Sequence, residues 1–150
     1  MKYFTIQELC KSSTAEKYHI SNTPSPEIQR NLISLVERIL DPLREALGKP
    51  VFVSSGYRSE QLNEKVGGSK TSQHMMGEAA DLYLKTGSNL EIAKKILELH
   101  LPYDQLILEK GDITSPSWIH VSYSDRQRRQ CMYFNGKKYL RCSEDLIKRL

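Results

Sequence analysis

Two histidines and one aspartate, His74, Asp81 and His120, carry the residue types that a catalytic metal needs. Asp81 opens the apolar run Asp81-Leu82-Tyr83-Leu84. A carboxylate entering a strand core is costly unless it is paired or binds a cation. Zinc supplies that compensation, because it accepts imidazole nitrogen and carboxylate oxygen. A catalytic zinc site has three protein ligands and a position left open for water. His74 precedes Asp81 within TSQHMMGEAAD, where Gly77, Ala79 and Ala80 let the backbone come close. His120 lies in WIHVSY, and the period of two places Trp118, His120 and Ser122 on one face of a strand. Alone, His120 reads as a hydrogen-bonded core histidine. With His74 and Asp81 it reads as a third ligand.

Around these residues run Ser54-Ser55-Gly56-Tyr57-Arg58, then LNEKVGGSKTSQHMMGEAAD, then WIHVS. In this order, with the pattern SxHxxGxAxD followed by WxH, they resemble the zinc D-Ala-D-Ala carboxypeptidases of the M15A peptidase group, common among bacterial and phage-encoded wall enzymes. The likeness extends from about Phe4 to about Tyr123. It implies zinc at His74, Asp81 and His120, with Arg58 facing the site. It also implies the fold shared with Hedgehog signalling domains, a small antiparallel sheet flanked by helices. The expected substrate is a peptidoglycan stem peptide, cut by a carboxypeptidase or an endopeptidase. Zinc would polarise the scissile carbonyl and acidify its water. Arg58 would bind the carbonyl oxygen as charge develops, or hold a substrate carboxylate, a task that Lys70 could share. Ser72 and Gln73 would orient His74 or contact substrate, although Ser72 equally suits a loop cap. Tyr57 reads as packing, and His19 and His100 as non-ligands.

A general base is harder to place. Several relatives carry an acidic residue three positions before the last histidine, where this chain has Ser117. Others carry one in the preceding strand, DQLILE here. If Leu106–Glu109 pairs with Trp118–Tyr123 in a hairpin, Glu109 lies beside Trp118 and shares the face of His120. Glu109 is therefore the first candidate base, ahead of Asp104 and Asp112. The alternative reading is a non-catalytic, zinc-containing cell-wall-binding domain. A metal-free domain with polar core histidines is a further rival.

The elements that position these residues can be read from capping and periodicity. Thr5 with Glu8, and Ser13 with Glu16, read as capping boxes opening short helices. Ser25 and Pro26 start a longer helix with an apolar stripe through Ile28, Leu32, Leu35, Val36, Ile39 and Leu40. Pro42 should kink it and Gly48 should end it. Strands are expected at Val51–Ser55, Asp81–Leu84, Leu106–Glu109 and Trp118–Tyr123, with helices after Ser59 and Ser88. Asn135-Gly136 marks a hairpin between Cys131–Phe134 and Lys138–Arg141, and Ser143 caps a last helix. Helices first and strands later indicate an α+β domain with a largely antiparallel sheet.

A chain of 150 residues suits one domain, 1–150, with a core that needs no disulfides. Its three cysteines, Cys10, Cys131 and Cys142, are odd in number and widely spaced, which excludes a disulfide framework and reads as reduced thiols. A Cys131–Cys142 bridge across the hairpin is the less favoured reading. The net charge of +4, gathered near the C-terminus, reads as a solvated face, with no nucleic-acid motif beside it. No apolar run spans a membrane, and Gln7 and Glu8 interrupt any signal-peptide core. Such a chain is expected to be made in the cytoplasm and to reach a wall by lysis or delivery, as a phage or prophage enzyme does.

Overall fold

The computed structural model describes all 150 residues. Two short helices lead, α1 (Ile6–Cys10) and α2 (Ser13–Lys17). Thr5 Oγ1 accepts from the Glu8 amide at the start of α1. The cap of α2 is Ser12, whose Oγ accepts from Ala15. Ser13 lies inside the helix, one position later than a Ser13–Glu16 box requires.

The apolar stripe forms α3 (Pro26–Leu35), a π-helical turn (Val36–Leu40) and α4 (Asp41–Leu47), ended by Gly48 in the left-handed region. Pro42 is the physical cause of the π turn. It has no amide to give the carbonyl four residues back, and its ring crowds that carbonyl. The chain answers by widening one turn, so that the Asp41 amide bonds to Val36. Leu32, Leu35, Val36, Ile39, Leu40 and Leu43 stay fully buried along this rod.

The sheet has six strands: β1 (Phe52–Ser55), β2 (Ala79–Tyr83), β3 (Gln105–Glu109), β4 (Trp118–Ser122), β5 (Gln130–Phe134) and β6 (Tyr139–Arg141). Their order is β1-β2-β4-β3-β5-β6, which is larger than the small sheet expected. All pairings are antiparallel except β3 with β5. The remaining helices are α5 (Glu60–Lys65), capped by Ser59, α6 (Leu90–Glu98) and α7 (Glu144–Lys148), capped by Ser143. At the start of α6, Ser88 Oγ accepts from Leu90 and Glu91 returns a bond to the Ser88 amide.

One face of the sheet carries Ala80, Leu82, Leu106, Leu108, Ile119 and Val121, all in a single cluster of 25 buried apolar residues with the helices. Alternation therefore turns Asp81, Ile107, Glu109, Trp118 and His120 to the opposite face. The β5–β6 hairpin turns through Asn135, whose side chain accepts from the Lys137 and Lys138 amides. Cys131 and Cys142 meet across it by a backbone bond, and all three cysteines are free thiols.

Gly56 joins this scaffold to the site. A Cβ there would collide with the carbonyl of Leu9, while the next residue, Tyr57, donates its amide to that same carbonyl at 2.7 Å. Gly56→Ala is expected to cost about 1–3 kcal/mol, the usual penalty for forcing a methyl into packed backbone. Urea unfolding, read by the shift of its midpoint, checks this.

Candidate metal centre

Three elements bring His74, Asp81 and His120 together. Asp81 sits in mid-strand β2, rather than at its start, directly opposite His120 of β4. Residues so paired hold their side chains within contact distance on one face. His74 comes from a 3₁₀ turn, Gln73–Met76, that leads into β2. Gly77 ends this turn at φ +70°, and a Cβ there would strike Ile28 of α3, so only glycine lets the turn lie on the helix.

The imidazoles converge on one oxygen. His74 Nε2 lies 3.3 Å and His120 Nδ1 3.0 Å from Asp81 Oδ1. The rings stand edge to face with centroids 5.1 Å apart, and one donor atom from each of the three residues falls within 4.8 Å of the others. His74 Nδ1 is 2.7 Å from the carbonyl of Gly56. A carbonyl only accepts, so Nδ1 carries the proton and Nε2 is left as a free base turned to the centre. Burial would raise the Asp81 carboxyl, but bonds from His120 and His74 outweigh it and hold the carboxyl well below the usual range. Burial pushes the His74 imidazole down, toward its neutral form. Neutral imidazole and ionised carboxylate are the forms that bind a metal.

The centre opens into a cleft of about 730 Å³. Arg58 lines it, and its Nε is buried without a partner. Its backbone amide donates to the His74 carbonyl at 3.0 Å, which couples the arginine's position to that of the ligand turn. Burial lowers the Arg58 guanidinium, with the charge of Asp81 opposing the shift. Ser72 caps the 3₁₀ turn by accepting from the His74 amide, and it also lines the cleft. Gln73 lines the cleft too, but its Nε2 donates to Asp104 at 2.9 Å.

The three acidic candidates have different surroundings. Glu109 pairs with Trp118, as the hairpin reading expects, and lines the cleft. Burial raises its carboxyl, partly offset by the Tyr139 hydroxyl, which donates to Oε2 at 2.8 Å. Asp104 has no solvent exposure. Its Oδ1 accepts from the Arg128 amide and Nε, and its Oδ2 from Arg128 Nη2 and Gln73. Asp112 is exposed, and its Oδ1 closes a turn onto Thr114 and Ser115. Tyr139 and Arg128 both lie in the segment that sequence reasoning left without a role. The hairpin turn signals its fold, but nothing local shows which strand it joins.

The family model of peptidase M15 matches residues 2–122. The chain belongs to the peptidase M15 family. A zinc D-Ala-D-Ala carboxypeptidase of Streptomyces albus G is 50% identical over 44 residues. That match covers 29% of this chain and 17% of the relative's length. In this peptidase M15 chain, β5, β6 and α7 all lie beyond the matched residues.

Asp104 gives a pH signature of its own. Burial alone would raise its carboxyl, but the Arg128 and Gln73 bonds outweigh that and depress it below the ordinary value of about 4. The stabilisation is thus complete above about pH 4 and is lost as pH falls below that value. Asp104→Asn is expected to lower stability at neutral pH by about 1.5–3 kcal/mol and to flatten its decline below about pH 4. Urea unfolding at several pH values tests both effects.

Proposed function

We propose that this protein is a zinc-dependent hydrolase that cuts peptide bonds in peptidoglycan stem peptides, with a Hedgehog/DD-peptidase-like architecture. The observation that supports it most is the convergence of His74 Nε2, Asp81 Oδ1 and His120 Nδ1 beside a cleft. Two imidazoles and one carboxylate are a donor set of catalytic zinc. Bound zinc would polarise the scissile carbonyl and make water a nucleophile near neutral pH. The choice of substrate leans on the family and on the named activity of the Streptomyces relative.

The chain's own residues divide the remaining work. Glu109 takes the proton of the attacking water and passes it to the leaving amine as the C–N bond breaks. Its raised carboxyl suits a group that must both accept and return a proton. Arg58 faces the oxygen on which negative charge develops, and its fixed charge needs no proton. Ser72 and Gln73 line the cleft where substrate backbone would lie. A second hollow of about 430 Å³, over β1, shares Arg58, Val66 and Asp81 with the main cleft. Substrate therefore has room on both sides of the centre, which favours cleavage within a peptide. No helix is long and apolar enough to cross a membrane. Delivery to a wall by lysis fits this reading.

Purified protein is expected to hold about one zinc per chain and to lose it in His74→Ala and His120→Ala. Elemental analysis decides the matter, and a native protein that stays metal-free in supplied zinc would sink the proposal. Glu109→Gln should keep zinc while its kcat on soluble stem peptides falls by about 10²–10⁴-fold. Retained hydrolysis in that variant would remove Glu109 from the mechanism. Tyr139→Phe removes the bond that lowers the Glu109 carboxyl. The acid limb of its kcat/KM profile should therefore move to higher pH, with a loss of about fivefold at the plateau.

A further inference from the structure

Of the three arginines in the loop between β4 and β5, Arg126 and Arg128 line the same cleft as the metal centre. Both lie beyond residues 2–122 and outside the family match. Gln127 and Arg129 hold left-handed backbone at φ 36° and φ 51°, a conformation that side chains other than glycine rarely adopt. Strain of this kind persists where a loop must aim particular side chains. Here it separates Arg126 and Arg128 from Arg129, which turns away to Glu144 and the carbonyl of Leu101.

The two arginines are not equivalent. Arg128 saturates Asp104, so both oxygens of that buried carboxylate are already occupied. Arg126 Nη2 forms only a loose ion pair with Asp104 Oδ2, at 3.6 Å and without a hydrogen bond, and its side chain is 59% exposed. Its planar fork of donors is thus unspent. Glu78 and Asp125 lie near Arg126 but do not line the cleft. The cleft wall carries the cations Arg58, Lys110, Arg126 and Arg128 against the carboxylates of Asp81 and Glu109. Such a wall attracts an anionic ligand.

The geometry points to a carboxylate-binding subsite at Arg126, anchored by the Arg128–Asp104 pair, that selects substrates with a free carboxylate to one side of the scissile bond. The backbone ties this anchor to the strand that bears His120: the Asp104 amide donates to the carbonyl of Ser122, two positions along β4. A guanidinium recognises a carboxylate through paired N–H donors, so the amide of the same group is rejected. The subsite rests on the hydrolase reading above.

Three soluble stem peptides test it: one with all carboxylates free, one amidated only at the C-terminus, and one amidated throughout. Zinc-loaded enzyme should cut the free peptide with kcat/KM at least about tenfold above the fully amidated one, mainly through KM. Arg126→Gln should abolish that preference and Arg126→Lys should restore part of it. If C-terminal amidation alone removes the preference, the carboxylate is terminal; if only full amidation does so, it lies within the chain. Titration calorimetry of the same peptides on metal-free protein reads the selectivity without catalysis. Absence of cleavage together with selective, Arg126-dependent binding would refute the hydrolase but keep the subsite. Equal binding of all three peptides, or a preference that survives in Arg126→Gln, would overturn the subsite.

Discussion

A carboxylate in the middle of a central strand governs this structure. Asp81 is paired on both sides, by Ser55 of β1 and His120 of β4. An ionised group there needs compensation that apolar neighbours cannot give. The two imidazoles provide it, and to do so they fix much else. The pairing of β2 with β4 must keep Asp81 opposite His120, because a slip of one residue would send the carboxylate into the apolar cluster. The 3₁₀ turn must approach α3 closely enough to present His74, which demands Gly77. Gly56 must sit against Leu9 so that its carbonyl can fix the imidazole of His74.

Features set by neighbouring residues were legible in the sequence. The N-caps at Thr5, Ser25, Ser59 and Ser143, the Asn135-Gly136 turn and the β3–β4 hairpin lie where the pattern places them. Asp81 and His120 stand out in the sequence as polar residues in apolar strands, and the fold brings them together with His74, which comes from a 3₁₀ turn. What the sequence concealed depends on partners distant along the chain. The parallel pairing of β3 with β5 and the six-strand sheet arise from which edge the last hairpin finds. The π turn depends on Pro42 being tolerated in a rod already pinned by its buried stripe. Ser12 and Ser13 are equally good caps by type, and only the path of the chain selects Ser12.

The basic segment shows the same limit at a finer scale. By composition, Arg126, Arg128 and Arg129 form one cluster and suit a solvated face. In the fold they part company: Arg128 grips a carboxylate with no exposure, Arg129 bonds to Glu144, and Arg126 extends beside the cleft. Charge count describes the field around a surface, but the hydrogen-bonding capacity of each partner decides which cation remains available. Asp104 can satisfy one arginine fully. The second is left over, and that surplus is a property of the pair rather than of either residue.

Carboxylates follow the same logic, and it separates the three acids named as possible bases. A base must be able to give up its charge and take it back within a reaction. Asp104 is held ionised by Arg128, so protonating it would break a buried ion pair. Asp112 is exposed and committed to its own turn, whose bonds from Thr114 and Ser115 hold its carboxyl below the ordinary value. Glu109 alone of the three stands where burial prevails and leaves the carboxyl raised, with one neutral hydrogen-bond donor, Tyr139, holding the rise back. That donor comes from β6, beyond the part of the chain that matches the family. The terminal hairpin therefore does more than extend the sheet: its Tyr139 supplies the bond that limits the rise of the Glu109 carboxyl.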